Sequence, residues 1–330
     1  MNILQIKDLK QMDGEVGIEI EVEGENLPAH VVGWNKVGDG SLRGESCEYV
    51  IKKPCLRNKV KLYTNRIAKA YKDAGTIINQ SDRTSVHIHI NIQDMSLTEV
   101  YSFIALFLIL ETPLVKFCGD DRENNLFCLR SSDAEGLLTI LEKSASVKYL
   151  DCLNTTEVRY SAINVSAIFK YGSLEFRSMR GTDDVKLIQK WVRILLKLKD
   201  AARNYESPLE IIEDFSMKGI NLWVDTILGN EVGVVLDYKG WQDVLFDNMR
   251  SVQSLAYSGD WAGLSGEPPI RHAFDLEEFV NNPAPPPEFR EFRPDGEDPV
   301  WLIEEVEEER EREQEQDEPR EEEWNDEDDA

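Results

Sequence analysis

The chain has 330 residues and a hydrophobic fraction of 41%, enough apolar matter for a buried core in one large domain or two ordinary ones. Its formal charge of −26 is concentrated at one end: residues 284–330 hold 22 acids against 5 arginines, a net of −17, and the remainder carries only −9. That balance excludes a basic footprint for duplex nucleic acid, and five cysteines without a CxxC pair exclude a disulfide framework or a zinc ribbon.

The N-terminal run MNILQIKDLKQMDGE lacks the apolar core of a signal peptide. Residues 17–23 alternate strictly and predict a strand, with Glu19, Glu21 and Glu23 on one face and Ile18, Ile20 and Val22 on the other. Leu56–Gly75 carries Val60, Tyr63, Ile67 and Tyr71 at helical spacing, and Gly75 supplies a stop. Residues 86–92 predict a second strand, with His87, His89 and Asn91 opposite Val86, Ile88, Ile90 and Ile92. A helix over 98–117 opens on the capping-box pair Ser96 and Glu99, and Pro113 is expected to kink or end it. Its apolar run, Phe103–Leu110, is too short to span a bilayer and reads as buried, so no membrane partner and a reducing cytoplasm are expected.

Residues 135–149 and 183–205 are further helices, the second with Thr182 as N-cap and a stripe of Val185, Ile188, Val192, Leu195 and Leu196. Between them, 159–169 and 171–179 read as a hairpin turning at Lys170–Gly172. Its second arm sets Glu175 and Arg177 opposite Leu174 and Phe176, and its first carries Arg159 and Asn164 among aliphatics. Such clean alternation favours an α+β fold over a doubly wound parallel sheet: an antiparallel sheet with helices on one face and a polar catalytic face. Three parts are expected: a catalytic core over 1–205, a helical extension over 206–283, and a Pro-rich linker with a disordered acidic tail over 284–330. Trp301 and Trp324 in the tail are candidate docking points for a basic protein partner, the alternative being a solubilising tail.

The polar faces carry the chemistry. Three carboxylates along one strand repel one another unless water screens them or a cation sits among them, and Mg²⁺ takes oxygen ligands of that kind. Half of the chain's four histidines fall in the HxH step, which points to a metal or phosphate site; no third soft ligand at a recognisable spacing favours zinc. Glu175 and Arg177 share a face and are followed by Arg180-Gly181-Thr182; arginines beside a helix start suit phosphate oxygens, although cross-strand ion pairs would account for Glu175 and Arg177 alone. Together the three strands suit a divalent-metal–nucleotide platform.

These residues resemble the amidoligases of the glutamine synthetase / glutamate–cysteine ligase fold. The resemblance runs through Gly17-Ile18-Glu19-Ile20-Glu21, then Asp39-Gly40-Ser41-Leu42 with Glu45 and Glu48, and then His87-Ile88-His89-Ile90-Asn91. It continues through Arg159-Tyr160-Ser161-Ala162-Ile163-Asn164 and Leu174-Glu175-Phe176-Arg177 to Arg180-Gly181-Thr182, and covers roughly residues 13–205. It implies an ATP-dependent carbon–nitrogen ligase that activates a carboxylate as an acyl phosphate, which an amine attacks to give an amide or isopeptide bond. ATP and Mg²⁺ or Mn²⁺ would be the cofactors, and small-molecule or peptide carboxylates and amines the substrates.

In that picture Glu19, Glu21 and Glu175 are metal ligands, and His87, His89, Arg159 and Arg177 lie near the nucleotide. Arg177, Arg180 and Glu48 serve catalysis, and Asp39, Ser41 and Asn164 border the substrate. Family members occur in bacterial and phage gene sets, so for a phage protein the compartment would be the host cytoplasm. Two other readings remain open. One is a virion or assembly protein that keeps the fold without the activity and binds a basic partner through its tail. The other is a metal-dependent hydrolase. A degenerate scaffold should have lost some of Glu19, Glu21, His89, Glu175 or Arg177, and all are present. The arginines flanking the last strand favour nucleotide chemistry over hydrolysis.

Overall fold

The computed structural model describes residues 2–261, apart from residues 8 and 135. The linker, the acidic tail with Trp301 and Trp324, and residues 262–283 of the expected extension lie outside the described residues.

The fold is α+β, built on a seven-stranded antiparallel sheet. Its strands are β1 (Val16–Glu25), β2 (Trp34–Val37), β3 (Ser46–Ile51), β4 (Ile77–Asn79), β5 (Ser85–Asn91), β6 (Ile163–Asn164) and β7 (Ser173–Arg180). They lie in the order β2-β3-β1-β5-β7-β6, with β4 pairing to the end of β1. The helices are α1 (Ile3–Lys7), α2 (Val60–Ala74), α3 (Leu97–Cys118), α4 (Leu137–Val147), α5 (Ala167–Tyr171), α6 (Val185–Ala202), α7 (Pro208–Lys218), α8 (Ile220–Leu228), α9 (Gly233–Leu236) and α10 (Trp241–Ser258).

Alternation in the strands becomes two faces. Ile18, Ile20, Val86, Ile88, Ile90, Leu174 and Phe176 are buried on one of them. There α6 packs on β5 and α3 on β7, where Phe103 and Phe107 meet the Phe176 ring at 5.5 and 5.0 Å. With α10 against it as well, α3 is buried at every residue except Glu99, Lys116 and Phe117. By length and composition α3 could cross a membrane; in this protein it is the central core helix. Helices α7 and α9 also pack on α3, and α8 on α6, so the chain beyond residue 205 adds to the same core.

The Ser96–Glu99 capping box forms as the pattern predicts. Pro113 does not end α3, which continues to Cys118. Proline has no N–H for the carbonyl four residues back, and Asn248 of α10 donates to that Ile109 oxygen instead, at 3.0 Å. Two further expectations are corrected. The arm 159–169 is not a strand: only Ile163–Asn164 pairs with β7, Arg159 sits in a turn, and 167–171 is α5. Gly172, at φ 65°, closes α5 as a left-handed cap, so the chain turns out of a helix rather than through a hairpin. The N-cap of α6 is Asp184, whose Oδ1 accepts from the Lys186 and Leu187 amides; Thr182 Oγ1 accepts one step earlier, from the Asp184 amide.

Candidate active site

Strand register assembles the polar face. Glu19 pairs with His87, and Glu21 with Glu48 on the other side of β1. One row runs across four strands as Gly17, His89, Glu175 and Asn164. Gly17 makes room in that row, because a Cβ there would stand 3.1 Å from the His89 Cβ.

Glu19 is the hub. Its Oε2 lies 3.3 Å from His87 Nδ1, and its Oε1 lies 3.3 Å from His89 Nε2. His87 Nδ1 is also 3.5 Å from Glu175 Oε1, while His87 Nε2 shares a 2.7 Å hydrogen bond with Ser85 Oγ. His89 Nδ1 pairs with Ser173 Oγ at 3.1 Å, and its Nε2 is misaligned with Glu19 and has no hydrogen-bond partner. Glu21 Oε2 accepts from the Ser85 amide and hydroxyl at 2.8 and 2.6 Å. Glu175 accepts from Asn164 Nδ2 at 2.9 Å and from the Arg177 guanidinium at 2.5 Å.

The electrostatics follow from burial and these partners. Burial opposes ionisation of Glu19, but the two imidazoles outweigh it and hold the carboxyl well below the usual range. Glu175 is likewise lowered, with burial overcome by His89, His87 and Arg177. Burial would lower His89, yet Glu19 and Glu175 raise it. Glu48 goes the other way, pushed up to about 8 by burial and by the charges of Glu19, Glu21 and Asp39. A protonated Glu48 beside an ionised Glu19 resolves what two adjacent carboxylates would otherwise suffer as repulsion.

Among the described residues, two sets of three side chains bring ligand atoms within 4.8 Å of one another: Glu19, Glu48 and His87, and Glu19, His89 and Glu175. Both offer carboxylate oxygen and imidazole nitrogen, a donor set that suits a hard or borderline divalent cation. The residues therefore fit a metal, and Glu19 would be common to both positions.

Arg177 stands beside this floor because β7 bulges. Phe176 pairs with Ile88 and Met179 with Val86, so Arg177 and Ser178 of β7 together oppose His87 of β5 and both apolar side chains reach the core. The fully buried Arg122 holds the bulge, donating to the Ser178 and Arg177 carbonyls at 3.2 and 3.0 Å. Arg180 is engaged elsewhere: its guanidinium donates to the Cys118 carbonyl at the C-terminus of α3, at 2.8 Å. Arg159 is exposed and lies over the Tyr160 ring at 4.7 Å, with Arg177 at 6.0 Å from the same ring. Asp39 and Ser41 lie in the β2–β3 loop, hydrogen-bonded to each other, and Arg83 donates to the Ser41 carbonyl at 3.0 Å. Against the expectation of a sheet covered on one face only, residues 154–156 and α5 roof part of the polar face, and between roof and floor is a cavity of about 650 Å³.

Reading the strands alone singled out neither Ser85, Ser173 nor Arg122. The serines extend the polar period of β5 and β7 by one step, a signal present in the alternation. Arg122 belongs to no periodic element, and its role exists only through the bulge.

The sequence model of a family described as putative amidoligase enzyme matches residues 51–199. Over that stretch the chain is similar to the amidoligase family. The matched stretch contains His87, His89, Arg159, Asn164, Glu175, Arg177 and Arg180, while Glu19, Glu21, Asp39, Ser41 and Glu48 precede it. The register of β1 against β5 joins the two groups into one site. No curated protein matches the chain. The family's description is that of an enzyme forming amide bonds.

Proposed function

We propose that this protein is an ATP- and Mg²⁺-dependent carboxylate–amine ligase, with Mn²⁺ as an alternative metal, on a fold of the glutamine synthetase / glutamate–cysteine ligase type. The observation that carries the reading is the pair of three-ligand sets sharing Glu19, with Arg177 directly beside them. Glu19, Glu48, His87, His89 and Glu175 would hold the cations, with Glu21 close to His87. Divalent cations bound there would neutralise and orient phosphate oxygens.

In the first step a substrate carboxylate oxygen attacks the γ-phosphorus, the bond to the β–γ bridging oxygen breaks, and ADP leaves. In the second, an amine nitrogen attacks the acyl carbon, the bond from that carbon to the phosphate oxygen breaks, and the departing inorganic phosphate takes up the surplus proton of the nitrogen. Nothing in this sequence requires a covalent nucleophile from the protein; positioning and charge suffice. Arg177 neutralises charge on the transferred phosphoryl group and keeps Glu175 ionised. Asn164 fixes the other Glu175 oxygen through its own contacts with Ser166. Arg159, at the rim beside Tyr160, contributes to phosphate binding from solvent. Arg180 acts through the end of α3, and Asp39 and Ser41 border the entrance on the Glu48 side.

Calorimetry on the full chain tests the metal assignment. Mg²⁺-dependent ATP binding is expected in the native protein and absent in Glu19→Ala/Glu21→Ala; equal binding by both would refute it. ADP release with a panel of carboxylic acids and amines then tests the ligation.

A further inference from the structure

Arg122 sits in the short turn Asp120–Arg122 after α3, with none of its surface exposed. No carboxylate lies within ion-pair distance of it among the described residues. Burying a guanidinium costs far more than burying an apolar side chain of similar length, so packing alone does not account for this residue. What it reaches is backbone. Nε donates to the Ser178 carbonyl at 3.2 Å, Nη2 to the Arg177 carbonyl at 3.0 Å and Nη1 to the Asp82 carbonyl at 3.4 Å. A planar fork of fixed donors can hold three carbonyls of separate segments at once.

Two of those carbonyls belong to the bulge that carries Arg177, and the third to the residue before Arg83. Asn125, three residues on from Arg122, donates to the same Asp82 carbonyl at 2.9 Å, and its Oδ1 accepts from the Phe127 amide at 2.9 Å. Phe127 then touches both arginines. Arg83 lies over its ring at 5.9 Å, and Arg177 Nε donates to its carbonyl at 3.5 Å. Residues 122–127 thus hold together two guanidinium groups that come from distant parts of the chain. Arg83 donates to the Ser41 carbonyl at 3.0 Å, meets no carboxylate within ion-pair distance among the described residues, and has further N–H groups to offer.

Resting on the ligase reading of the same site, we propose that Arg83 is a second phosphate contact beside Arg177, and that Arg122 is the positioning residue for both. Arg83 and Arg177 donate to the terminal phosphate of a nucleoside triphosphate. Arg122 touches no ligand; it fixes the backbone from which each of the two starts. Guanidinium groups oriented in advance lose less freedom on meeting a phosphate than loose ones, so the buried charge is offset in binding and not in packing.

The test uses the full chain and measures the binding of Mg·ATP and Mg·ADP by calorimetry, with thermal melts to show that each variant is folded. The native protein is expected to prefer Mg·ATP by at least about tenfold. Arg83→Met should cut that preference by about threefold, and Arg122→Met should remove nearly all of it while Mg·ADP affinity stays within about twofold. A purely structural role would weaken both nucleotides alike. In Arg83→Met/Arg177→Met, adding Arg122→Met should change either affinity by no more than about twofold, because the groups it positions are gone. Where Arg122→Met does not fold, Asn125→Ala carries the test: it frees the Asp82 carbonyl from one anchor and should cut the preference in the native background but not in Arg83→Met. An unchanged preference in folded Arg122→Met overturns the proposal, as does an equal loss for both nucleotides or an effect that persists without Arg83 and Arg177. If the native protein binds both nucleotides equally, the two-arginine contact falls and the ligase reading stands. If it binds neither, the ligase reading falls and takes this proposal with it.

Discussion

Val86, Ile88 and Ile90 on one face of β5, and His87 and His89 on the other, are almost equally hidden from solvent. On the aliphatic face burial is itself the stabilising interaction, roughly 1.5–3 kcal/mol for each large side chain. On the histidine face burial is a cost, because desolvation works against the charged forms of Glu19, Glu175 and His89 alike. What offsets it is complementary charge at 3.3–3.8 Å, spread over three strands. Similar burial on the two faces of one strand thus has opposite energetic meaning. A face held together against its own desolvation is where function is to be sought.

Substitutions on the two faces should therefore uncouple activity from stability. Glu19→Gln removes the carboxylate common to both ligand sets, so Mg·ATP-dependent turnover should fall by about 10³-fold or more. Cooperative unfolding should persist, as thermal melts will show. Ile88→Ala should do the reverse. Denaturant unfolding should report a loss of about 4 kcal/mol from the cavity it leaves, with turnover of the folded fraction within about twofold of native. If Ile88→Ala abolished activity in folded protein, the division of labour between the faces would be wrong.

A buried carboxylate on the helical side sharpens the contrast. Glu111 of α3 accepts from the Ser131 amide and hydroxyl and has no cation in contact among the described residues, and burial pushes it up to about 7 where Glu175 is lowered. Since its folded value lies above the unfolded 4.5, the folded state holds the proton more tightly. That contribution is full below the unfolded value and is lost as pH rises toward about 7. Glu111→Gln should flatten this slope and gain on the order of 3 kcal/mol above neutrality, measured by denaturant unfolding across pH. The smallest effect expected is that of Asn248→Leu, which leaves the Ile109 carbonyl without its donor beside Pro113 and should cost about 1 kcal/mol by the same measurement.

Much of the site was legible one strand at a time. Glu19 and Glu21, His87 and His89, and Glu175 and Arg177 could each be assigned to a polar face, because side chains alternate along any strand whatever surrounds it. The failures share a cause. The arm containing Arg159 looked like strand because its polar and aliphatic residues are mixed, yet the left-handed turn at Gly172 and the short α5 override that pattern. Arg180 looked like a phosphate ligand from its place in a turn, and the end of α3 takes its guanidinium instead. Lys170 looked like a turn residue and stands at the wall of the cavity.

By itself, then, the sequence determined the α+β class, the start of α3 at its capping box, and which residues share a face. These depend on periods of two or about four and on contacts within a single turn. Only the tertiary structure decided that Glu19 meets both histidines, that Glu48 faces Glu21, and that a bulge pinned by Arg122 aims Arg177 at the floor. Those facts depend on the register between strands distant in the chain. Sliding one strand by a single residue would turn every carboxylate of β1 into the core, and no local pattern encodes that choice.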